Sequence, residues 1–184
     1  MSSTPLVQRP SAGPDYPRWS ETLRDHSHVV IRPITPHDKE AERAFIEGLS
    51  LQARRYRFLG QMSSPSEALI EQFTHIDYVH EVAFVAVVPE DGHEQIVGVS
   101  RYSTDESGTN CECAVTVSDE WQNKGLGTLL MRHLIEVARA RGIRRMMSMD
   151  SAENVRMLDL ARYLGFDTRV DPDDASQVIH ELRL

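Results

Sequence analysis

A strand that runs, through one short loop, into a glycine-punctuated helix constrains this chain more than any other feature. From Asn110 to Val117 the residues alternate, with Glu112, Ala114 and Thr116 on one face and Cys111, Cys113 and Val115 on the other. Gln122-Asn123-Lys124-Gly125-Leu126-Gly127-Thr128 then opens a helix in which Leu126, Leu130, Leu134, Val137 and Ala138 recur at helical spacing, to about Arg141. The unpaired amides of a first helical turn, with the positive end of the helix dipole, suit a phosphate or pyrophosphate, and Gly125 and Gly127 let the backbone come close to it. Spacing excludes two phosphate motifs: no Gly-x-x-x-x-Gly-Lys-Ser/Thr occurs, and the third glycine of a dinucleotide fingerprint would fall at Leu130.

Around this junction the chain reads as one α+β domain, residues 29–184, behind an irregular arm, residues 1–28. The arm carries Pro5, Pro10, Pro14 and Pro17 without periodicity, and Tyr16 and Trp19 are its groups able to dock on a core. Val29 to Ile34 reads as a strand. Thr35 caps a helix with Pro36 in its first turn, running to about Leu49; Ser50 caps a second bearing Arg54, Arg55, Tyr56, Arg57 and Phe58; a third spans Ser66 to Ile76. Val82 to Val88, Gln95 to Ser103 and Asn110 to Val117 form a predicted antiparallel meander. Arg144 to Asp150 is a strand, Ala152 to Leu164 an amphipathic helix, and Phe166 to Val170 and Gln177 to Leu182 are closing strands. Gly142 followed by Ile143, and Gly165 followed by Phe166, read as helix stops. The predicted fold is a mixed, mostly antiparallel central sheet flanked by helices.

Charge and cysteine usage narrow the function. With 28 Asp+Glu against 20 Lys+Arg the net charge is −8, the wrong sign for a protein that gains its affinity by neutralising nucleic-acid phosphates. The longest apolar run, Val82 to Val88, is far short of the roughly 18 to 20 residues a membrane span needs, and the N-terminus has no secretory-type apolar stretch, so a cytoplasmic location is expected. Cys111 and Cys113 are the only cysteines and no His-x-x-x-His occurs, so no metal is expected.

Gln122 to Gly127, after a strand of this type, resembles the acetyl-CoA-binding motif Gln/Arg-x-x-Gly-x-Gly/Ala of the GNAT superfamily of N-acetyltransferases. The strand and helix order from Glu112 to Arg169 is similar, and Asn154, Met157, Leu160, Gly165 and Phe166 look like the family's pattern on its second cofactor-side helix. Ile31-Arg32-Pro33, Leu49-Ser50 with Arg54, Arg57 and Phe58, and Cys111-Glu112-Cys113-Ala114-Val115 resemble the GNAT domain of bacterial Pat-type protein lysine acetyltransferases. The resemblance implies direct transfer of acetyl from acetyl-CoA to an amine, either a protein lysine or a small amine. A non-catalytic acyl-CoA-binding module is the alternative of another class. Monomer and homodimer both remain open.

The same resemblance assigns the cofactor to Gln122, Asn123, Lys124, Gly125, Leu126, Gly127 and Thr128 for the pyrophosphate, to Val117 for the pantetheine arm and to Asn154, which competes with a role as helix cap. Glu112 is the candidate general base, its carboxylate expected to be tuned by burial among apolar neighbours; the competing reading is a paired or exposed strand glutamate. Many family members carry a tyrosine where this chain has Ala161, and Tyr163, about 200° around the helix, cannot stand in for it. Arg54, Arg55 and Arg57 form a basic cluster that would meet acidic residues of an acceptor, cofactor phosphates, or only solvent.

Overall fold

The structure, a computed structural model, describes residues 18–58 and 64–184. Most of the arm, residues 1–17, therefore lies outside the described residues. The part that is described is ordered, in contrast to the expectation: Trp19–Thr22 forms strand β1, paired antiparallel with β2, His28–Pro33. Trp19 explains why. Its ring stacks on His133 at 4.0 Å and meets Phe84 edge-on at 5.2 Å, and Glu21 takes up His133 Nε2 at 2.7 Å. Four residues are too few for alternation to reveal a strand in sequence; the docking tryptophan was its one sign.

After Thr35 comes a short 3-10 turn, Pro36–Asp38, and only then α1, Lys39–Gly48. α2 is Leu51–Phe58, and α3, Glu67–Thr74, is capped by Ser66, whose Oγ accepts the Leu69 amide at 3.1 Å. Strands β3 (Glu81–Glu90), β4 (His93–Thr104) and β5 (Asn110–Val117) form the expected meander, the first turn closing tightly on Asp91 and Gly92, both at positive φ. Helix α4 (Leu126–Ala140), β6 (Arg145–Ser151), α5 (Val155–Leu164), β7 (Asp167–Val170) and β8 (Gln177–Arg183) complete the chain. Both predicted stops carry the paired bonds of a Schellman turn. Ile143 and Gly142 donate to Ala138 and Arg139, Phe166 and Gly165 to Ala161 and Arg162, with each glycine left-handed.

Among the described residues eight strands lie in the order β1-β2-β3-β4-β5-β6-β8-β7, and of their pairings only β5 with β6 is parallel. This is the mixed α+β architecture expected. β3 shows why its sequence is apolar throughout: Phe84, Ala86 and Val88 face α4 with Leu126, Leu130 and Leu134, while Ala83, Val85 and Val87 face α1 and α3 with Phe45, Ile46 and Ile70. A strand covered on both sides cannot alternate. Among the described residues no helix is long and apolar enough to cross a membrane.

Candidate active site

The parallel pair β5–β6 is short. Asn110, Cys111 and Glu112 pair with Arg145, Met146 and Met147, and there the ladder ends, although β5 continues to Val117 and β6 to Ser151. Each strand is held along its length by its other neighbour, β5 by β4 and β6 by β8, so the two diverge. The result is an opening in the middle of the sheet, edged by strand backbone without a strand partner, which an extended ligand arm can enter and hydrogen-bond.

At the head of the opening stands the glycine-rich loop. Asn123 and Gly125 have positive φ, and the first bond within α4 runs from Leu129 to the Gly125 carbonyl. The amides of Leu126, Gly127 and Thr128 consequently have no helical acceptor and point at whatever lies beyond the helix end. The two glycines differ. A Cβ on Gly127 would stand 3.4 Å from Leu160 and 3.8 Å from Val117, ordinary contact distances, so the packing of α4 on α5 and β5 does not require a glycine there. A Cβ on Gly125, at φ +88, would stand 3.3 Å from Arg24 Nε. Gly125→Ala is therefore expected to cost about 1–2 kcal/mol of stability from the left-handed backbone, and to weaken acetyl-CoA binding; thermal unfolding and a binding titration check both.

Three of the other predicted cofactor residues are already engaged within the chain. Lys124 pairs with Asp25 at 2.9 Å and lies over the Trp121 ring, while its carbonyl accepts the Arg24 amide at 3.1 Å. Gln122 Nε2 donates to the Val117 carbonyl at 3.2 Å, fixing the end of β5 to the loop, and its Oε1 is buried without a partner. Asn154 Oδ1 accepts the Met157 amide at 3.2 Å, the capping role weighed above. What sequence reasoning missed is Arg24: the β1–β2 turn lays its side chain across Gly125, and no described residue pairs with its guanidinium. Only the approach of a distant turn reveals it.

Glu112 sits where the pairing stops, but not as expected. The structure leaves it exposed, because the face of β5 that carries it is covered by α2, which buries none of its side chains fully, whereas Cys111 and Cys113 lie under α4 on the opposite face. Burial pushes the Cys111 thiol up to about 12 and Cys113 well above its usual value, so both are inert core thiols. Glu112 lines a cavity of about 170 Å³ with Glu81, Arg101, Ser103 and the apolar Ile76 and Val82. No group of His, Cys, Asp and Glu side chains among the described residues is arranged to hold a metal.

The predicted basic cluster is dispersed. Arg54 Nε donates to the Leu49 carbonyl, Arg55 is exposed, and Arg57 turns inward over the rings of Phe58 and Phe73. Burial and the neighbouring Arg101 bring the Arg57 guanidinium down to about 10, against the pull of Glu42, Asp150 and Glu112. α2 is tied at both ends: Ser50 donates twice to Asp119 just before the loop, and the Tyr56 hydroxyl donates to the Glu153 carbonyl just before α5. Tyr163 is exposed and accepts from Arg132, as a surface residue should. A larger cavity, of about 670 Å³, lies away from the opening; Arg32, Asp38 and Glu94 in its wall already pair with one another.

Residues 34–166 match the model of the GNAT acetyltransferase family. The chain belongs to that family. It is 51% identical over 166 residues to Acetyltransferase PA5475 of Pseudomonas aeruginosa, covering 90% of this chain and 89% of that protein. The crystal structure of the GNAT domain of S. lividans PAT superposes with a TM-score of 0.83 at 28% identity, covering 92% of this chain and all of that one. Acetyltransferase Pat of Mycolicibacterium smegmatis is 28% identical over 145 residues, which are 78% of this chain but only 42% of Pat. The chain is thus a GNAT acetyltransferase, and the family's cosubstrate is acetyl-CoA. Its fit can be judged on this chain's own atoms: three free amides at the start of α4 and an unpaired strand edge leading from them to Glu112 are complementary to a pyrophosphate followed by an amide-bearing arm.

Proposed function

We propose that this GNAT chain transfers acetyl from acetyl-CoA to the side-chain amine of a protein lysine. The observation that carries the reading is the β5–β6 opening, with the phosphate-binding loop at one end and Glu112 at the root. Acetyl-CoA supplies an acyl thioester. The amides of Leu126, Gly127 and Thr128 hold its pyrophosphate, the unpaired edge of β5 up to Val117 orients its arm, and Gln122 holds that edge in place. Glu112, exposed beside the acceptor cavity, takes the proton of the incoming amine, directly or through a water. Glu81 and Glu112 share the cavity wall with Arg101, which Glu42 pairs at 3.4 Å, and this balance favours a cationic acceptor; likeness to two Pat proteins favours lysine over a small amine.

Arg24 belongs to the same site in this reading. A guanidinium over the positive end of α4 is unfavourable unless an anion lies between them. Arg24→Ala is expected to raise KM for acetyl-CoA several-fold and leave kcat unchanged, an effect that shrinks as salt is added; equal kinetics at low salt would remove Arg24 from the site.

Incubating the purified chain with acetyl-CoA and either a lysine-bearing protein extract or a panel of small amines, with CoA release and acetyl-lysine both measured, tests the acceptor. Turnover confined to the amines rejects the lysine reading, and acetyl-CoA binding without turnover in either pool turns the chain into a binding module.

A further inference from the structure

Acyl transfer moves protons at two places: one leaves the attacking nitrogen and one must reach the departing sulfur. The position where many family members carry a phenol is Ala161, buried in the core. The opening has a second carboxylate, however, on its other edge. Asp150 lies on β6 beyond the last β5–β6 pair. It shares the face of Met146 and Ser148, which α4 and α5 cover, whereas Glu112 stands on the opposite face of the sheet from Cys111 and Cys113. The two carboxylates therefore flank one gap from opposite faces, the acceptor side and the cofactor side.

Asp150 is held as few surface aspartates are. Ser148 Oγ donates to its Oδ2 at 2.5 Å, and His180 Nε2 stands 3.7 Å from the same oxygen. His180 is anchored by Thr168 Oγ1 on its Nδ1 at 2.7 Å, and its buried Nε2 has no hydrogen-bond partner. The imidazole is 1% exposed and the Asp150 side chain 16%, so the carboxyl is the member of the group that reaches solvent. The charged and titratable groups within electrostatic reach of it are His180 from β8, Arg57 from α2 and the Cys113 thiol from β5. Burial raises the carboxyl above its ordinary value, against Ser148, His180 and Arg57, and burial lowers His180. Burial thus moves the carboxyl toward its protonated form and the imidazole toward its neutral one.

We propose that Asp150, positioned by Ser148 and His180, is the proton donor to the leaving sulfur. This rests on the transfer reaction proposed above. A neutral amine nitrogen forms its bond to the acyl carbon, Glu112 takes the proton that nitrogen sheds, the carbon–sulfur bond breaks, and Asp150 delivers its proton to the sulfur. One proton passing from Glu112 to Asp150 through solvent resets both carboxyls. Base and acid are thus divided between the two strands that part to form the opening.

The pH dependence of kcat, with acetyl-CoA affinity measured separately, tests the assignment. Asp150→Asn is expected to lower kcat about 100-fold, with acetyl-CoA affinity and thermal midpoint close to wild type and the alkaline limb of the profile lost. Ser148→Ala removes a donor that stabilises the charged carboxylate, so it should move the alkaline limb to higher pH. A profile of unchanged shape in both variants, or a loss confined to affinity, overturns the role of Asp150. Failure of the underlying reading looks different: a wild-type chain that transfers acetyl to no acceptor overturns both, whereas an active Glu112→Gln with a defective Asp150→Asn removes Glu112 alone.

Discussion

Glu112→Gln is expected to lower kcat for acetyl transfer by about 10²- to 10⁴-fold, the usual contribution of a positioned base, without changing the affinity for acetyl-CoA. The separation follows from where the residue stands. Glu112 lies at the last position of β5 that pairs with β6 and lines the acceptor cavity with Glu81 and Arg101, away from the free amides at the start of α4. A base acts only while the proton moves, so its loss reduces kcat and kcat/KM together and leaves ground-state binding alone. Glutamine keeps the size of the side chain and, at an exposed position, costs little stability. Activity retained within about threefold would leave Glu112 a surface residue, and matched losses of kcat and acetyl-CoA affinity would mean that it organises the opening instead.

The elements that sequence predicts well here are those whose cause is local. Gly142 and Gly165 adopt the left-handed backbone that their places just past helix C-termini demand, the helix read from Ser66 begins at that residue's cap, and the unbroken apolar run of β3 is that of a strand covered on two faces. What sequence does not contain is decided by distance across the fold. The exposure of Glu112 depends on which helix covers each side of β5, and α2 covers its side thinly. Lys124, the obvious cation of the loop, is taken by Asp25, while Arg24 lies over Gly125 because a hairpin assigned to an irregular arm folds against the loop. The β5–β6 opening is the extreme case. Both strands have ordinary strand sequences, and the gap exists because β4 and β8 hold them on diverging paths.

The largest effect on stability is expected away from the opening, at the pair that joins β2 to the start of α1. The Arg32 guanidinium grips the Asp38 carboxylate with both terminal nitrogens, at 2.9 and 2.8 Å, and the Thr35 amide donates to the same carboxylate at 2.8 Å. Both side chains are 9% exposed. Asp38→Ala leaves the guanidinium buried with only Glu94 at 3.5 Å, itself half exposed, as a counter-charge. Loss of one partner of such a pair costs about 3–5 kcal/mol, and Glu94 places this one toward about 3. For a domain of this size that lowers Tm by about 6–12 °C. The acid side carries a second signature. Burial pushes the Asp38 carboxyl up, but Arg32 and the Thr35 amide outweigh it and hold it below its ordinary value. A carboxyl lowered on folding stabilises above its unfolded pKa and loses that contribution as pH falls through the folded one. Wild-type stability should therefore decline below about pH 4, and the decline should be shallower in Asp38→Ala. Denaturant titrations at neutral and acid pH measure both, and equal slopes in the two proteins would mean that Asp38 does not set the acid limb.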